Sequence, residues 1–275
     1  MSLLTAEDQY RRAEAFQALH TGPDVFVIAN AWDAGTAKAF TALGFRALAT
    51  TSAGIAHSLG TADGTITRAQ TLANARALVE ATHLPVAGDL ENGFAADADG
   101  IPETIRLAAE HGLVGGSIED AIDGGVIPVE AALERLQAAI EAARALPFPF
   151  TLTARAENFL YGRDDLKDTI ARLQAYEAAG ADVLFAPGLT SEEQIRAVVS
   201  EVGKPVNVLA GGARLDATVE QLGEWGVRRI SLGSNLSRAA MSAAILGAKE
   251  IAEQGTFGFG RSGVLAHGEI EGYFG

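Results

Sequence analysis

The stretch AYEAAGADVLFAPG, residues 175–188, sets the pattern of the chain. A helical segment stops at Gly180, and a short apolar run, DVLFA (Asp182–Ala186), begins almost at once. Glycine just past a helix end takes the left-handed conformation that stops the helix. The same junction stands at Ala42-Leu43-Gly44 and at His111-Gly112. Reading outward gives seven further β-branched or apolar runs. They are Val25–Ala29, Ala47–Thr50, Pro85–Asp89, Gly115–Ile118, Phe150–Ala154, Pro205–Leu209 and Arg229–Leu232. Strands alternating with helical patterns predict βαβ units and a parallel sheet. Eight such units match a closed (β/α)8 barrel of the TIM type; an open doubly wound sheet usually has fewer strands.

The intervening segments read as helices. In Thr71–Ala81, Leu72, Ala75 and Val79 share one face. Pro128 opens a long helical pattern at a first-turn position, and Thr190-Ser191-Glu192-Glu193 reads as a cap followed by first-turn acids. The whole chain, 1–275, reads as one barrel domain. Residues 1–23 hold an extra N-terminal helix (Ala6–His20) expected to close the barrel bottom, and residues 24–236 hold the strands and helices of the wall. Residues 237–275 hold the last helix (Ser237–Gln254) and a Gly-rich tail with exposed aromatics.

Composition narrows the function. The formal charge is −14 and no Lys/Arg-dense stretch exists, so a nucleic-acid partner is not expected. Cysteine is absent, which excludes disulfides, thiolate catalysis and cysteine-based metal sites. No signal peptide and no membrane-spanning run are read, so the expected location is cytoplasmic. The five histidines lack metalloprotease spacing, and no P-loop or GxSxG motif occurs.

In a parallel barrel, chemistry gathers at the C-terminal strand ends. Those ends carry Asn30, Thr50-Thr51-Ser52, Asp89 with Glu91 and Asn92, and Glu119-Asp120; then Arg155 with Glu157, Asn207, and Gly233-Ser234-Asn235. Acids gathered on one barrel face repel unless a cation sits among them. Asp89, Glu91 and Glu119 therefore read as a site for Mg²⁺ or Mn²⁺, with ordinary turn residues as the alternative. Arg155 ends an apolar strand, where a guanidinium needs an anion; the anion is either a substrate or a structural partner such as Glu119 or Glu157. Thr51, Ser52 and neighbouring backbone groups offer donors to a carboxylate or phosphate. His57 lies in a loop near the mouth, and Glu157 and Tyr161 are candidate bases.

These residues also carry a family resemblance. GDLENGF (88–94), SIED (117–120) and TARAENF (153–159) resemble the isocitrate lyase/phosphoenolpyruvate mutase superfamily. NAWDAGTAKAFTALGF (30–45), TTSAGIAHSLGTADG (50–64), GADVLFAPG (180–188) and KPVNVLAGG (204–212) look like further segments of it, across roughly residues 24–240. The resemblance implies an Mg²⁺-dependent barrel acting on 2-oxo acids, with the eighth helix exchanged between subunits of a homodimer or homotetramer. It implies that Asp89 ligates the ion directly, with Glu91 and Glu119 holding its waters. Arg155 would meet a substrate carboxylate or the bond being broken. Thr51, Ser52 and Ala53 would hold another carboxylate, and Asp63 matches the acid of a gating loop. Asn207 is a further expected substrate contact.

One segment departs from the family. Its lyases place a catalytic cysteine in a KKCGH-type loop after the fourth strand, and its phosphonate enzymes use Lys and Asn there. The corresponding stretch here, DAIDGGVIPVEAA (120–132), has no Cys, Lys, His or Asn. The expectation is thus a carbon–carbon lyase or decarboxylase that forms a 2-oxo acid enolate from a small 2-oxo or branched di- or tricarboxylic acid. Arg155, Asp63 and Glu157 are its candidate catalytic residues. The alternatives are a phosphonopyruvate-type P–C bond enzyme and a barrel that binds Mg²⁺ and a 2-oxo acid without turnover.

Overall fold

The computed structural model describes residues 4–212, 215–261 and 263–274; Ser262 and Gly275 of the tail lie outside them. Eight parallel strands close into a barrel. They are β1 (Phe26–Asn30), β2 (Leu48–Ala49), β3 (Val86–Asp89), β4 (Gly115–Glu119), β7 (Thr151–Arg155), β8 (Val183–Phe185), β9 (Val206–Leu209) and β10 (Arg229–Ser231). Closure pairs β10 with β1. Between β4 and β7 lies an antiparallel hairpin, β5 (Ala121–Ile122) and β6 (Gly125–Val126).

Helices separate the strands. They are α2 (Ala34–Ala42), α3 (Ser52–Ser58), α4 (Arg68–Ala81), α5 (Ile101–Glu110), α6 (Val129–Arg144), α7 (Leu166–Ala179), α8 (Glu192–Glu201) and α9 (Val219–Glu224). The junction after α7 takes its expected form. Gly180 has φ +107°, and the Ala181 N–H reaches back to the Tyr176 carbonyl at 3.1 Å. The buried face of α4 includes Leu72, Ala75, Leu78 and Val79, the stripe its spacing predicts. Its start was not anticipated. Thr67 and Gln70 form a reciprocal capping box that begins the helix at Arg68. Pro128 likewise caps α6 rather than lying inside its first turn.

Helix α1 (Ala6–Thr21) crosses the N-terminal ends of the strands. Its Phe16 ring occupies the space beside Gly115, where an added Cβ would stand 2.8 Å from the ring. The same Cβ would stand 2.7 Å from the Thr151 carbonyl oxygen, so a larger residue at the start of β4 would collide with both β7 and α1.

At the other end of the chain, α10 (Asn235–Gln254) leaves the wall. Only Ser237 and Gly247 are buried on it, while Ile245, Leu246 and Ile251 are exposed. A short 3-10 turn (Gly258–Arg261) and α11 (His267–Glu271) follow. Among the described residues no helix is long and apolar enough to cross a membrane.

Candidate active site

Strand register builds the site. Asp89 pairs with Ser117 across β3 and β4, Glu119 with Arg155 across β4 and β7, and Arg155 with Phe185 across β7 and β8. Three adjacent strands therefore deliver Asp89, Glu119 and Arg155 to one end of the barrel. Glu119 stands behind Asp89 and Arg155, which there line a cavity of about 200 Å³ together with Asn207, Arg229, Thr51 and Ser52 among others. It lies below the range of roughly 300 Å³ upward usual for drug-sized ligands, so it suits a small acid.

Arg155 is the hub. Its Nε donates to Glu157 Oε1, and its Nη1 lies 3.2 Å from Glu119 Oε2 and 3.5 Å from Asp89 Oδ1. The guanidinium also stands over the Phe185 ring, 5.5 Å from its centroid. The structural partners expected for Arg155, Glu119 and Glu157, are both present, and Arg155 also lines the cavity.

Asp89 is fixed by its own neighbours. Its N–H donates to Thr50 Oγ1 at 2.7 Å, and its Oδ2 accepts from the Ser52 N–H at 3.1 Å. The Ser52 N–H, expected to face a substrate carboxylate, is therefore engaged with Asp89. Glu91 follows in the left-handed region at φ +47°, a conformation costly for a non-glycine residue. Its carbonyl accepts from the Glu119 N–H at 3.0 Å, which ties the β3 loop to the end of β4.

The carboxylates outnumber the cation. Burial, then the charges of Asp89 and Asp63, push Glu91 up to about 7. Burial raises Glu119 to about 8 despite the opposing pull of Arg155, helped by Glu157, Asp89 and Glu91. Burial also raises Glu157, although Arg155 opposes it. Asp89 Oδ1 and Glu91 Oε1 are buried with no hydrogen-bond donor.

These orphaned oxygens and raised acids fit a divalent cation. Among the described residues no three His, Asp or Glu side chains close on one point tightly enough for direct ligation. A Mg²⁺ ion held here would take most of its ligands from water. Asp89 lines the cavity, whereas Glu91 and Glu119 do not, so the donor set has one near carboxylate and two set back.

The remaining candidates divide. Thr51 caps α3, with its hydroxyl 3.4 Å from the Gly54 N–H; Ser52 and Ala53 line the cavity. Asp63 is exposed and stands at the rim. Asn207 is buried, and its carboxamide is held by Ser231 and Arg229. Asn30 joins the ends of β2 and β10 through Thr50 O, Leu232 N and Gly233 N. Glu157 and Tyr161 do not line the cavity, and His57 lines a separate groove beside α10.

Two features escaped the sequence reading. The departing loop is the β5–β6 hairpin, turned by Asp123 (φ +50°) and Gly124 (φ +80°). Asp-Gly between short apolar runs is a hairpin signal and could have been read. Asp120, at the hairpin base, is a buried anchor. It accepts from the Glu157 N–H (2.8 Å), Arg172 Nη1 (2.9 Å) and the Tyr176 hydroxyl (2.6 Å). Its fixed position sets where Glu157, and through it Arg155, can stand.

Residues 16–252 match the PEP mutase family, phosphoenolpyruvate phosphomutase. The chain belongs to that family. A crystal structure from Burkholderia cenocepacia J2315, described as that of a candidate lyase/mutase, is 51% identical with a TM-score of 0.93, covering 98% of this chain and 97% of that one. The 2-methylisocitrate lyase of Shewanella oneidensis is 31% identical over 229 residues, 77% of each chain. The uncharacterized protein Rv1998c of Mycobacterium tuberculosis (strain ATCC 25618 / H37Rv) is 32% identical over 241 residues, 87% of this chain and 89% of its own length. This PEP mutase family member thus sits among lyases and mutases of small acids, and the superfamily resemblance read from the sequence holds.

Proposed function

We propose that the protein is a Mg²⁺-dependent carbon–carbon lyase or decarboxylase that forms the enolate of a 2-oxo acid from a small 2-oxo or branched di- or tricarboxylic acid. The observation that carries this reading is Asp89 and Arg155 on the wall of a small cavity, backed by Glu119 and Glu91, with Asp89 Oδ1 and Glu91 Oε1 left without donors. Asp89 would hold the ion directly, with Glu91 and Glu119 holding its waters; Mn²⁺ would fit the same oxygens. The ion supplies Lewis-acid stabilisation of negative charge developing on the 2-oxo acid.

The chain's own residues do the rest. The Arg155 guanidinium is held by Glu157 and Phe185 before substrate arrives, so it is preorganised to meet a developing oxyanion. Thr51, Ser52 and Ala53 line the cavity, where their hydroxyl and backbone groups would meet a substrate carboxylate, and Asp63 at the rim would act as the gating acid. Loss of CO₂ from a β-oxo diacid breaks the carbon–carbon bond and leaves the electron pair on the enolate, so no base is needed to begin. Cleavage of a 2-hydroxy diacid needs one, and the hairpin supplies no Cys, Lys or His. That absence favours a second reading, a barrel that binds Mg²⁺ and a 2-oxo acid without turnover.

Mg²⁺-dependent consumption of a panel of 2-oxo and branched diacids separates the two. Product formation supports the lyase. Binding without consumption supports the binding barrel, and phosphate release from phosphonopyruvate would point to P–C bond chemistry.

A further inference from the structure

Barrel interiors of this type are usually filled by branched apolar side chains. Here a polar layer lies on the strands below Arg155: Thr153, Asn207, Ser231 and Arg229, with His20 rising from α1. Arg229, the first residue of β10, is only 6% exposed. Its Nε donates to Asn207 Oδ1 at 2.9 Å and its Nη2 to Thr153 Oγ1 at 3.0 Å. Its Nη1 is 3.3 Å from His20 Nε2. His20 Nδ1 lies 2.8 Å from the Phe16 carbonyl and must donate to it, so Nε2 is the acceptor toward Arg229. Burial and the Arg229 charge push His20 down to about 3, so this ring is neutral.

All three partners are therefore uncharged. Arg155 faces three carboxylates and the buried Arg172 faces Asp120, but among the described residues no carboxylate lies within ion-pair distance of Arg229. Burial alone lowers its pKa, to about 9, so it stays charged at neutral pH. A lone cation in such a place is costly unless an anion meets it. A guanidinium has five N–H donors, and three are engaged, which leaves two for a ligand. Arg229 also lines the same cavity as Asp89 and Arg155.

We propose that Arg229 is a second anion-recognition residue of the cavity, meeting from its floor the distal carboxylate of a di- or tricarboxylic acid. The inference rests on the lyase reading and adds which end of the substrate the floor selects. A structural strut could be built more cheaply from Gln or Met, whereas a buried cation strongly favours a diacid over a monoacid.

The test compares lactate with malate, which share the 2-hydroxy acid end and differ in the distal carboxylate. Both are titrated calorimetrically into the Mg²⁺-saturated protein. A charge-assisted hydrogen bond in this setting corresponds to roughly tenfold or more in affinity, so wild type is expected to prefer malate by about that factor. Arg229→Gln should collapse the preference and leave lactate binding unchanged. Asn207→Asp should collapse it too, because it gives Arg229 an internal counter-charge, and it should not lower the melting temperature. This variant carries the test if Arg229→Gln fails to fold. If both variants keep the preference, or weaken both acids alike, Arg229 is a strut and the inference is overturned while the lyase reading stands. If wild type binds neither acid with Mg²⁺ present, both are overturned.

Discussion

Arg155 Nη1 stands 3.2 Å from Glu119 Oε2, and the pairing of β4 with β7 sets these two residues side by side. Backbone register, not chance rotamers, thus puts a cation beside a cluster that holds more acids than it can neutralise. Removing the near carboxylate should therefore differ from removing those set back. Asp89→Ala is expected to abolish Mg²⁺-dependent oxalate binding. Glu91→Gln and Glu119→Gln should weaken it by about 10–100-fold, the usual cost of losing a group that acts through a ligand or water. Calorimetric titration measures both effects, and unchanged binding in Asp89→Ala would remove the metal assignment.

The raised acids give a pH dependence with a definite sign. Glu91 and Glu119 move from 4.5 up to about 7 and about 8. Protonation is thus favoured more by the folded than by the unfolded chain. Their stabilising effect in the metal-free protein is complete below about pH 4.5 and is lost as pH rises toward 8. The melting temperature should fall across that window without Mg²⁺ and fall less with it. Mg²⁺ binding near pH 7 should also release protons, visible as a buffer-dependent heat. A flat metal-free profile with no proton release would contradict the charge arrangement.

Asp120 tests the support of the site. Its carboxylate holds Arg172, Tyr176 and the Glu157 backbone in one buried network. Asp120→Ala leaves Arg172 with Asp168 as its remaining carboxylate and strips acceptors from the Tyr176 hydroxyl and the Glu157 N–H, so a loss of about 3 kcal/mol or more is expected in urea unfolding. Tyr176→Phe removes a single hydroxyl and should cost about 1–3 kcal/mol. Equal costs for the two would mean that Asp120 is not the network's centre.

How much of this was legible depends on the kind of signal. The barrel was, because each glycine stop and apolar run is a local feature, as at Gly180. The strand-end acids were, because barrel topology sends strand ends to one face. Arg229 was not: it begins its strand, where function is not sought, and only three-dimensional closure shows that its partners Asn207, Thr153 and His20 are all neutral. The direction of Glu157 was also hidden, since a residue two positions after a strand can face the cavity or its own neighbour. The structure turns it to Arg155.

Helix α10 predicts assembly. Leu246 is 65% exposed and Phe257 68%, with Met241, Ile245 and Ile251 also open on the helix. An apolar arm of this extent marks an interaction surface, and a second copy of the chain is the expected partner. Light scattering at micromolar concentration should report a dimer or tetramer. Ile245→Asp with Leu246→Asp should shift it toward monomer while the barrel stays folded. A monomeric wild type would contradict the expectation.

The enolate reading makes the sharpest demand on Arg155. Oxalate is planar, dianionic and able to present two oxygens to one ion, so it resembles the enolate of pyruvate. A site complementary to that species should bind oxalate on the order of 10²-fold or more tightly than pyruvate. The guanidinium fork held between Glu157, Glu119 and Phe185 is what a developing oxyanion would meet. Arg155→Lys replaces the fork with a compact ammonium that cannot reproduce it, so most of the oxalate preference should disappear. A purely structural Arg155 predicts a different outcome: a lower melting temperature with the oxalate-to-pyruvate ratio intact. Inhibition or dissociation constants for both acids, measured in both proteins with Mg²⁺ saturating, decide between them. Should wild type bind oxalate no better than pyruvate, the enolate mechanism falls and the binding-barrel reading takes its place.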